Sequence, residues 1–508
     1  MTVDFFANLA LGFQISLSPL NVMYCLVGVA IGTAIGVLPG LGPAATLSLL
    51  LPITFRMDMT SAVIMLAGIY YGSLYGGSIT SILINIPGEA ASVVTCIDGY
   101  EMARRGRAGP ALGIAAFGSF IAGTFATVGL SLVGPGLARL ALNFGPVEFT
   151  ALVVLGLTLV TYLSQTSVVR SLMMAVLGLM LSTVGLDPIF GTERFTFGSY
   201  TLADGFNIAI MAMGLFGIAE LLTLAGKPPD EANFARQPTR MRELLPSRDD
   251  WRASGGPIAR GSVLGFLLGL LPGGGGIIAS FASYAMEKRL ARHPERFGRG
   301  AIEGVAGPES ANNAGAQAAF IPLLTLGLPA NVVMAITMGA LMIHGVTPGP
   351  LLLRDRPDLF WGVITSMYVG NVLLLVLNVP LIWVFVAMLR VPYAILSPLV
   401  MLFCAIGAFS LNNNPVDVII MVALGVVGYL MRKARLDAAP LLLAFVLGDT
   451  LERSFRQSLL IGQGSPLVFL RHPIAATLFA AAAVLLALPA VGALRGVRQV
   501  AETSPSPE

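Results

Sequence analysis

The chain has 508 residues, of which 56% are hydrophobic and 11% charged, with a formal net charge of +3. Soluble domains carry about 25% charged residues, so an ordinary water-soluble globular protein is excluded. Apolar stretches near the roughly 20 residues needed to cross a bilayer recur along most of the chain, and an all-α polytopic membrane protein with about ten to twelve embedded segments is expected.

In chain order, the first basic residue is Arg56, so no removable secretory signal is expected at the N-terminus. The first apolar run breaks at Gly36-Val-Leu-Pro-Gly-Leu-Gly-Pro43. The next contains Gly72-Ser-Leu-Tyr-Gly-Gly77 and breaks at Asn85-Ile-Pro-Gly88. Apolar spans follow at 111–132, 149–163 and 205–224. The long polar stretch 226–257 carries Lys227, Arg236, Arg240, Arg242, Arg248 and Arg252, and reads as a cytoplasmic linker. It separates an N-terminal membrane repeat (1–225) from a C-terminal one (258–495), with a polar tail at 496–508. The second repeat breaks at Gly269-Leu-Leu-Pro-Gly-Gly-Gly-Gly276 and again at Leu326-Gly-Leu-Pro-Ala330, then continues through spans at 360–377, 418–430 and 474–488.

Backbone released from a helix at membrane depth is tolerated only where protein buries it or a wet cavity receives it. Paired breaks in corresponding positions of two halves therefore mark a transporter's binding site. A helix restarting at Pro43 or after Gly276 would present free amides and a positive dipole end to an anion. The bland reading of such Gly-rich stretches is close helix packing.

Charge placement suggests how the halves are oriented. In the first half, the loop after Leu-Pro-Gly holds Arg56, whereas the loop after Asn-Ile-Pro-Gly holds Arg104, Arg105 and Arg107. In the second half the order flips: Lys288, Arg289, Arg292, Arg296 and Arg299 follow Leu-Pro-Gly, while Arg354 and Arg356 follow Leu-Pro-Ala beside Asp355 and Asp358. Basic loops face the cytoplasm, so two like-patterned halves of opposite bias point to inverted-topology repeats with re-entrant or broken helices.

No Lys or Arg lies well inside the broken segments, so backbone amides, hydroxyls and side-chain amides are the candidate anion ligands. The candidate substrate site comprises Pro39, Gly40, Gly42, Ser78, Asn85, Pro87, Gly88, Pro272, Gly273, Gly274, Asn312, Asn313, Pro329 and Asn331. Thr46, Ser48, Ser73, Thr80, Ser81, Ser280 and Ser283 are further hydroxyls, for which bonding back to the helix is the competing role. Glu309 and Asn313 are the candidate ion-coupling residues, since intramembrane carboxylates serve as proton relays or cation ligands. Glu89, Asp98, Asp187, Glu220, Asp417 and Asp449 fall where solvated or capping roles are expected. His344 could shuttle a proton or cap a segment end.

Cys25, Cys96 and Cys404 stand apart in apolar surroundings and are expected to be buried thiols, with no disulfide or metal site. No catalytic motif is present, and the polar stretch is too short for a nucleotide-binding domain. No cofactor and no nucleic-acid partner is expected; energy would come from an ion gradient or a partner subunit.

Several motifs closely resemble the large membrane subunit of tripartite tricarboxylate transporters. They are Gly36-Val-Leu-Pro-Gly-Leu-Gly-Pro43, Tyr71-Gly-Ser-Leu-Tyr-Gly-Gly-Ser78, Ile84-Asn-Ile-Pro-Gly-Glu89, Leu271-Pro-Gly-Gly-Gly-Gly276, Gly307-Pro-Glu-Ser-Ala-Asn-Asn-Ala314, Ile321-Pro-Leu-Leu-Thr-Leu-Gly-Leu-Pro329 and His344-Gly-Val-Thr-Pro-Gly-Pro350. The resemblance runs in order over nearly the whole chain. It implies a permease in a bacterial inner membrane, working with a small membrane subunit and a periplasmic solute-binding protein. It also implies uptake of citrate-like carboxylates driven by H+ or Na+. One departure is Gly327-Leu-Pro-Ala-Asn331, where the family commonly reads Gly-x-Pro-Gly and a small hydroxyl residue; the substrate is therefore open. A stand-alone cation-coupled carrier or channel is the nearest alternative, and a membrane scaffold or intramembrane enzyme a more distant one.

Overall fold

Glycines at four-residue spacing set the closest helix contacts. The computed structural model describes residues 2–38, 42–163, 166–187, 189–225, 241–272, 275–388 and 393–487. It divides into two units, Met1–Leu142 with Asn207–Ala434, and Asn143–Phe206 with Arg435–Glu508.

In the larger unit the helix Pro19–Gly36 lies against Met59–Ile84. Gly28, Gly32 and Gly36 face the carbonyls of Met65, Ile69 and Ser73, and a Cβ at those glycines would come within 2.4, 2.4 and 2.3 Å of the three oxygens. Only glycine permits that approach, as in membrane helices generally. The helix Arg248–Gly269 repeats the arrangement against Glu303–Ala318. There Gly261, Gly265 and Gly269 face the carbonyls of Gly307, Ala311 and Gly315 at 2.4, 2.2 and 2.5 Å by the same measure. Gly28 to Gly261, Gly32 to Gly265 and Gly36 to Gly269 are one constant spacing in the chain, and the facing residues keep another. The same packed pair of helices thus occurs twice.

Met59–Ile84 is buried along its whole length. It starts at Asp58, whose carboxylate accepts the N–H groups of Thr60 and Ser61, a good N-cap. Ala108–Ala141 and Pro357–Asn378 pack against it and against each other, and Ala108–Ala141 also covers Glu303–Ala318. Among the described residues five helices are long and apolar enough to cross a membrane: Pro19–Gly36, Met59–Ile84, Ala108–Ala141, Pro357–Asn378 and Pro415–Lys433. Shorter apolar helices include Pro146–Thr161, Val168–Ser182, Val332–Ile343 and Pro473–Ala487. The fold is that of an all-α, multi-pass membrane protein. The sole sheet among the described residues is the two-stranded pairing of Gly185–Leu186 with Glu193–Arg194.

Of the polar stretch 226–257, residues 226–240 lie outside the described residues. The rest is not all linker, because the helix Arg248–Gly269 begins inside it. Ser247 and Asp250 form a reciprocal capping box there, which satisfies amides that the charged composition had made look like loop.

In the smaller unit Ala438–Ile461 packs along Val168–Ser182 and Pro146–Leu163. Glu148 meets His472 at 2.8 Å, and Arg194 and Arg456 both pair with Asp187 and Glu452. Backbone N–H groups of Phe190 and Ile189, helped by Arg456, hold the Asp187 carboxyl down at about 2. The three cysteines are free, with Cys25 and Cys404 buried and Cys96 half-buried.

Candidate functional site

Both second breaks use the same backbone device. Met59–Ile84 ends at Asn85 in the left-handed region (φ 60°, ψ 26°), and Phe320–Leu326 ends at Gly327 in the same conformation (φ 68°, ψ 25°). A left-handed C-cap closes the last turn, and Pro87 and Pro329, two residues on, prevent the helix from continuing. The spacing from Asn85 to Gly327 is also that from Pro87 to Pro329, Glu89 to Asn331, and Tyr70 to Asn312.

Those last equivalences carry the site. Asn312 Nδ2 donates to Glu89 Oε1 at 2.6 Å, and Asn331 Nδ2 donates to the Tyr70 hydroxyl at 3.2 Å. The residue after each Pro-Gly or Pro-Ala thus bonds to the buried helix of the other half, at matching positions. The two bonds are reciprocal in the spacing of the chain, since Asn312 answers to Tyr70 and Asn331 to Glu89. The side chains differ: one bond is carboxylate to amide, the other amide to phenol.

Glu309 sits one turn before Asn312 and Asn313 and is 1% exposed. Its Oε2 accepts the Ser78 hydroxyl at 2.6 Å, and its Oε1 accepts the Thr95 hydroxyl. Asn313 Nδ2 donates to Ser119 Oγ at 2.7 Å and to the Glu309 carbonyl at 3.1 Å. Asn313 Oδ1, Ser310 Oγ and Ser283 Oγ are buried without partners. Among the described residues neither Glu89 nor Glu309 pairs with Lys, Arg or His. The cavity lined by Ser78, Ser119 and Asn378 holds only about 10 Å³, room for one water at most.

The described residues beside the breaks lie close to Glu89 and its partner Asn312. A Cβ at Gly88 would lie 2.2 Å from Gly77 Cα, and one at Gly42 would have the Gly88 carbonyl as its neighbour at 3.8 Å. Across the unit, a Cβ at Gly276 would reach Asn312 Oδ1 at 2.8 Å. Gly42, Gly88, Glu89, Asn312 and Gly276 therefore form a continuous line from the start of the helix Pro43–Leu50 to that of Gly275–Leu290. Helix N-termini favour anions there.

Of the sequence candidates, Gly42, Ser78, Gly88, Asn312 and Asn313 come together around Glu89 and Glu309. Asn331 is tied to Tyr70 and also caps the helix Val332–Ile343 through Met334. Asn85 is exposed at its cap, and Pro87, Pro272 and Pro329 shape the breaks. Pro39, Gly40, Gly273 and Gly274 lie outside the described residues. Most hydroxyls bond back to their own helices: Thr46 to Gly42, Ser48 to Ala44, Ser73 to Tyr70, and Thr80 and Ser81 to Gly77. Ser280 bonds to the Gly276 and Pro308 carbonyls. Glu89, read from the sequence as solvated or capping, and Tyr70, Thr95 and Ser119, which the sequence reading did not single out, complete the site. Aligning Asn85 on Gly327 would have found the first two, because it places Glu89 on Asn331 and Tyr70 on Asn312.

No solved structure matches the chain. A protein of Agrobacterium vitis, described as an uncharacterized 52.8 kDa protein in the TAR-I ttuC′ 3′ region, is 51% identical over 496 residues, covering 97% of this chain and 98% of its own. A second from the same organism, described as an uncharacterized protein in the TAR-II ttuC′ 3′ region, is 51% identical over 234 residues, which is 46% of this chain and 97% of that one. The model of the tripartite tricarboxylate transporter TctA family matches residues 22–443, which takes in the contact glycines of both helix pairs, all four breaks and the two carboxylates, and the chain belongs to that family.

Proposed function

We propose that the protein is the permease subunit of a binding-protein-dependent secondary transporter that imports tricarboxylates or related organic carboxylates on a proton or sodium gradient. Its setting would be a bacterial inner membrane, its partners a small membrane subunit and a periplasmic solute-binding protein. The observation that carries this reading is that Glu89 stands at the glycine-lined breaks, bonded to Asn312, while Glu309, one turn earlier on that helix, is buried against Ser78 and Thr95. An anionic substrate approaching two carboxylates that have no basic partner among the described residues requires positive charge to enter with it. Protons or Na+ would supply that charge, and the helix starts at Pro43 and Gly275 would receive the substrate's carboxylates. The full substrate site would then include Pro39, Gly40, Gly273 and Gly274 of the two hairpins.

Contacts between loops support inverted repeats. Asp98, just past the first half's second break, accepts the N–H groups of Gly298, Gly300 and Ala301 at 2.9, 2.8 and 2.8 Å. Those amides belong to the loop that opens Glu303–Ala318. The loop past the first half's second break thus meets the start of the second half's buried helix, as expected of a two-fold axis in the membrane plane.

Two experiments test the reading. Proteoliposomes containing the permease and its small partner should accumulate radiolabelled citrate or a related carboxylate only with an imposed gradient and with the binding protein present. Uptake without the binding protein would favour a stand-alone carrier. Single cysteines placed at 104–107 and at 288–299 should both react with an impermeant maleimide only from the cytoplasmic side; periplasmic labelling of either would refute the inverted arrangement.

A further inference from the structure

We propose that the basic surface formed by residues 105–107, 252–260 and 292–299 is a binding site for the phosphate headgroup of an anionic phospholipid. Two cavities lie there. One, of about 480 Å³, is lined by Arg252, Arg260, Arg292, His293 and Arg296 together with Glu287 and Glu303. The other, of about 280 Å³, is lined by Arg105, Arg107, Arg296 and Arg299 with Glu295 as the acidic member. Arg296 belongs to both. Arg260 is taken up by Glu287 and Arg107 by Asp250. Among the described residues Arg105, Arg292, Arg296 and Arg299 make no ion pair, so the cavities keep a surplus of guanidinium groups whose forked N–H donors match phosphate oxygens.

This surface is held in shape. Asp98 fixes the backbone at Gly298, Gly300 and Ala301, and also accepts the Tyr284 hydroxyl at 2.9 Å. The Phe297 ring, between the two free arginines, is buried and packs edge-on against Tyr284 at 5.4 Å between centroids. Arg296 and Arg299 therefore project from a braced loop, so little entropy is lost when they close on a ligand.

The neighbouring apolar surface identifies the source of the phosphate as a lipid. Arg252, Gly256 and Arg260 follow one another at four-residue spacing along Arg248–Gly269, and the exposed Val263 and Leu267 continue the same face. Exposed Leu290 lines the larger cavity, and exposed Trp251 sits beside Arg252. Cations at one end of a helix face and bare hydrocarbon at the other match a phospholipid lying along it. Basic cavities between membrane helices on the cytoplasmic side take anionic headgroups in this way. A soluble phosphate would use the arginines and leave the apolar face bare.

The test is lipid competition. Purified full-length protein is equilibrated with an equimolar mixture of cardiolipin and phosphatidylcholine in detergent, and retained lipid is counted by native mass spectrometry. Cardiolipin should be preferred at least about tenfold. Arg296→Ala/Arg299→Ala should remove most of that preference, while Arg354→Ala, whose partner is its neighbour Asp355, should keep it. Equal retention of the two lipids by the wild-type protein would overturn the proposal without needing any variant to fold. So would an unchanged preference in the double variant. Displacement of cardiolipin by glycerol 3-phosphate at comparable concentration would show a free-phosphate site and would also overturn it.

Discussion

A Gly265→Val protein is expected to be absent from the membrane as a folded species. The added Cβ would stand 2.2 Å from the Ala311 carbonyl oxygen and 2.8 Å from its Cα. These are backbone atoms of a buried helix, so no side-chain rotation can relieve the clash. Overpacking a well-filled core costs about 1–3 kcal/mol, and more where backbone must move, out of a total stability of about 5–15 kcal/mol. Gly36→Val, against Ser73, is expected to behave alike because it is the same contact in the other half. Gly136→Val is the control: it lies in the helix Ala108–Ala141 with nothing within 4 Å of its added Cβ. Fluorescence-detected size-exclusion chromatography of tagged variants decides the matter. A monodisperse Gly265→Val peak of wild-type height would mean that the helix pairs do not need this approach.

The contrast between Gly265 and Gly136 shows what was legible in the sequence. Breaks such as Asn85-Ile-Pro-Gly88 stand out because Pro and Gly interrupt an apolar run that otherwise fits a bilayer, and the fold class follows from the apolar runs alone. Glycine spacing suggests close approach, but it does not name the partner helix. Glu89 reads from the sequence as solvated or capping for a related reason. Its position after a Pro-Gly resembles an interfacial cap, and only tertiary contact with Asn312 reveals it as part of the core site. Thr95 and Ser119 are still less legible, because nothing local distinguishes a hydroxyl that meets Glu309 or Asn313 from one that bonds back to its helix. The start of Arg248–Gly269 was hidden by its charges, although Ser247 and Asp250 had the capping spacing all along.

Replacing Glu309 by glutamine is expected to abolish gradient-driven accumulation while leaving exchange of substrate across the membrane intact. The amide fills the same space: its oxygen accepts from the Thr95 hydroxyl, and its NH2 group donates to Ser78, whose own hydroxyl hydrogen turns to the Leu74 carbonyl. What it lacks is charge that a proton or Na+ could neutralise. If Glu309 carries the coupling ion, counterflow in preloaded proteoliposomes persists and concentrative uptake falls to the leak. Asn312→Ala should behave differently. It removes the donor to Glu89 and takes an amide from beside Gly276, so it weakens transport of both kinds. A lost hydrogen bond to a charged group is worth about 1.5–3 kcal/mol, which is roughly ten- to a hundredfold in affinity. The two variants thus separate energy coupling from substrate binding within one turn of helix. Normal accumulation by Glu309→Gln would place the coupling group elsewhere, with Glu89 the next to test. Unchanged kinetics in Asn312→Ala would remove the line of residues joining the two hairpins from the substrate's path.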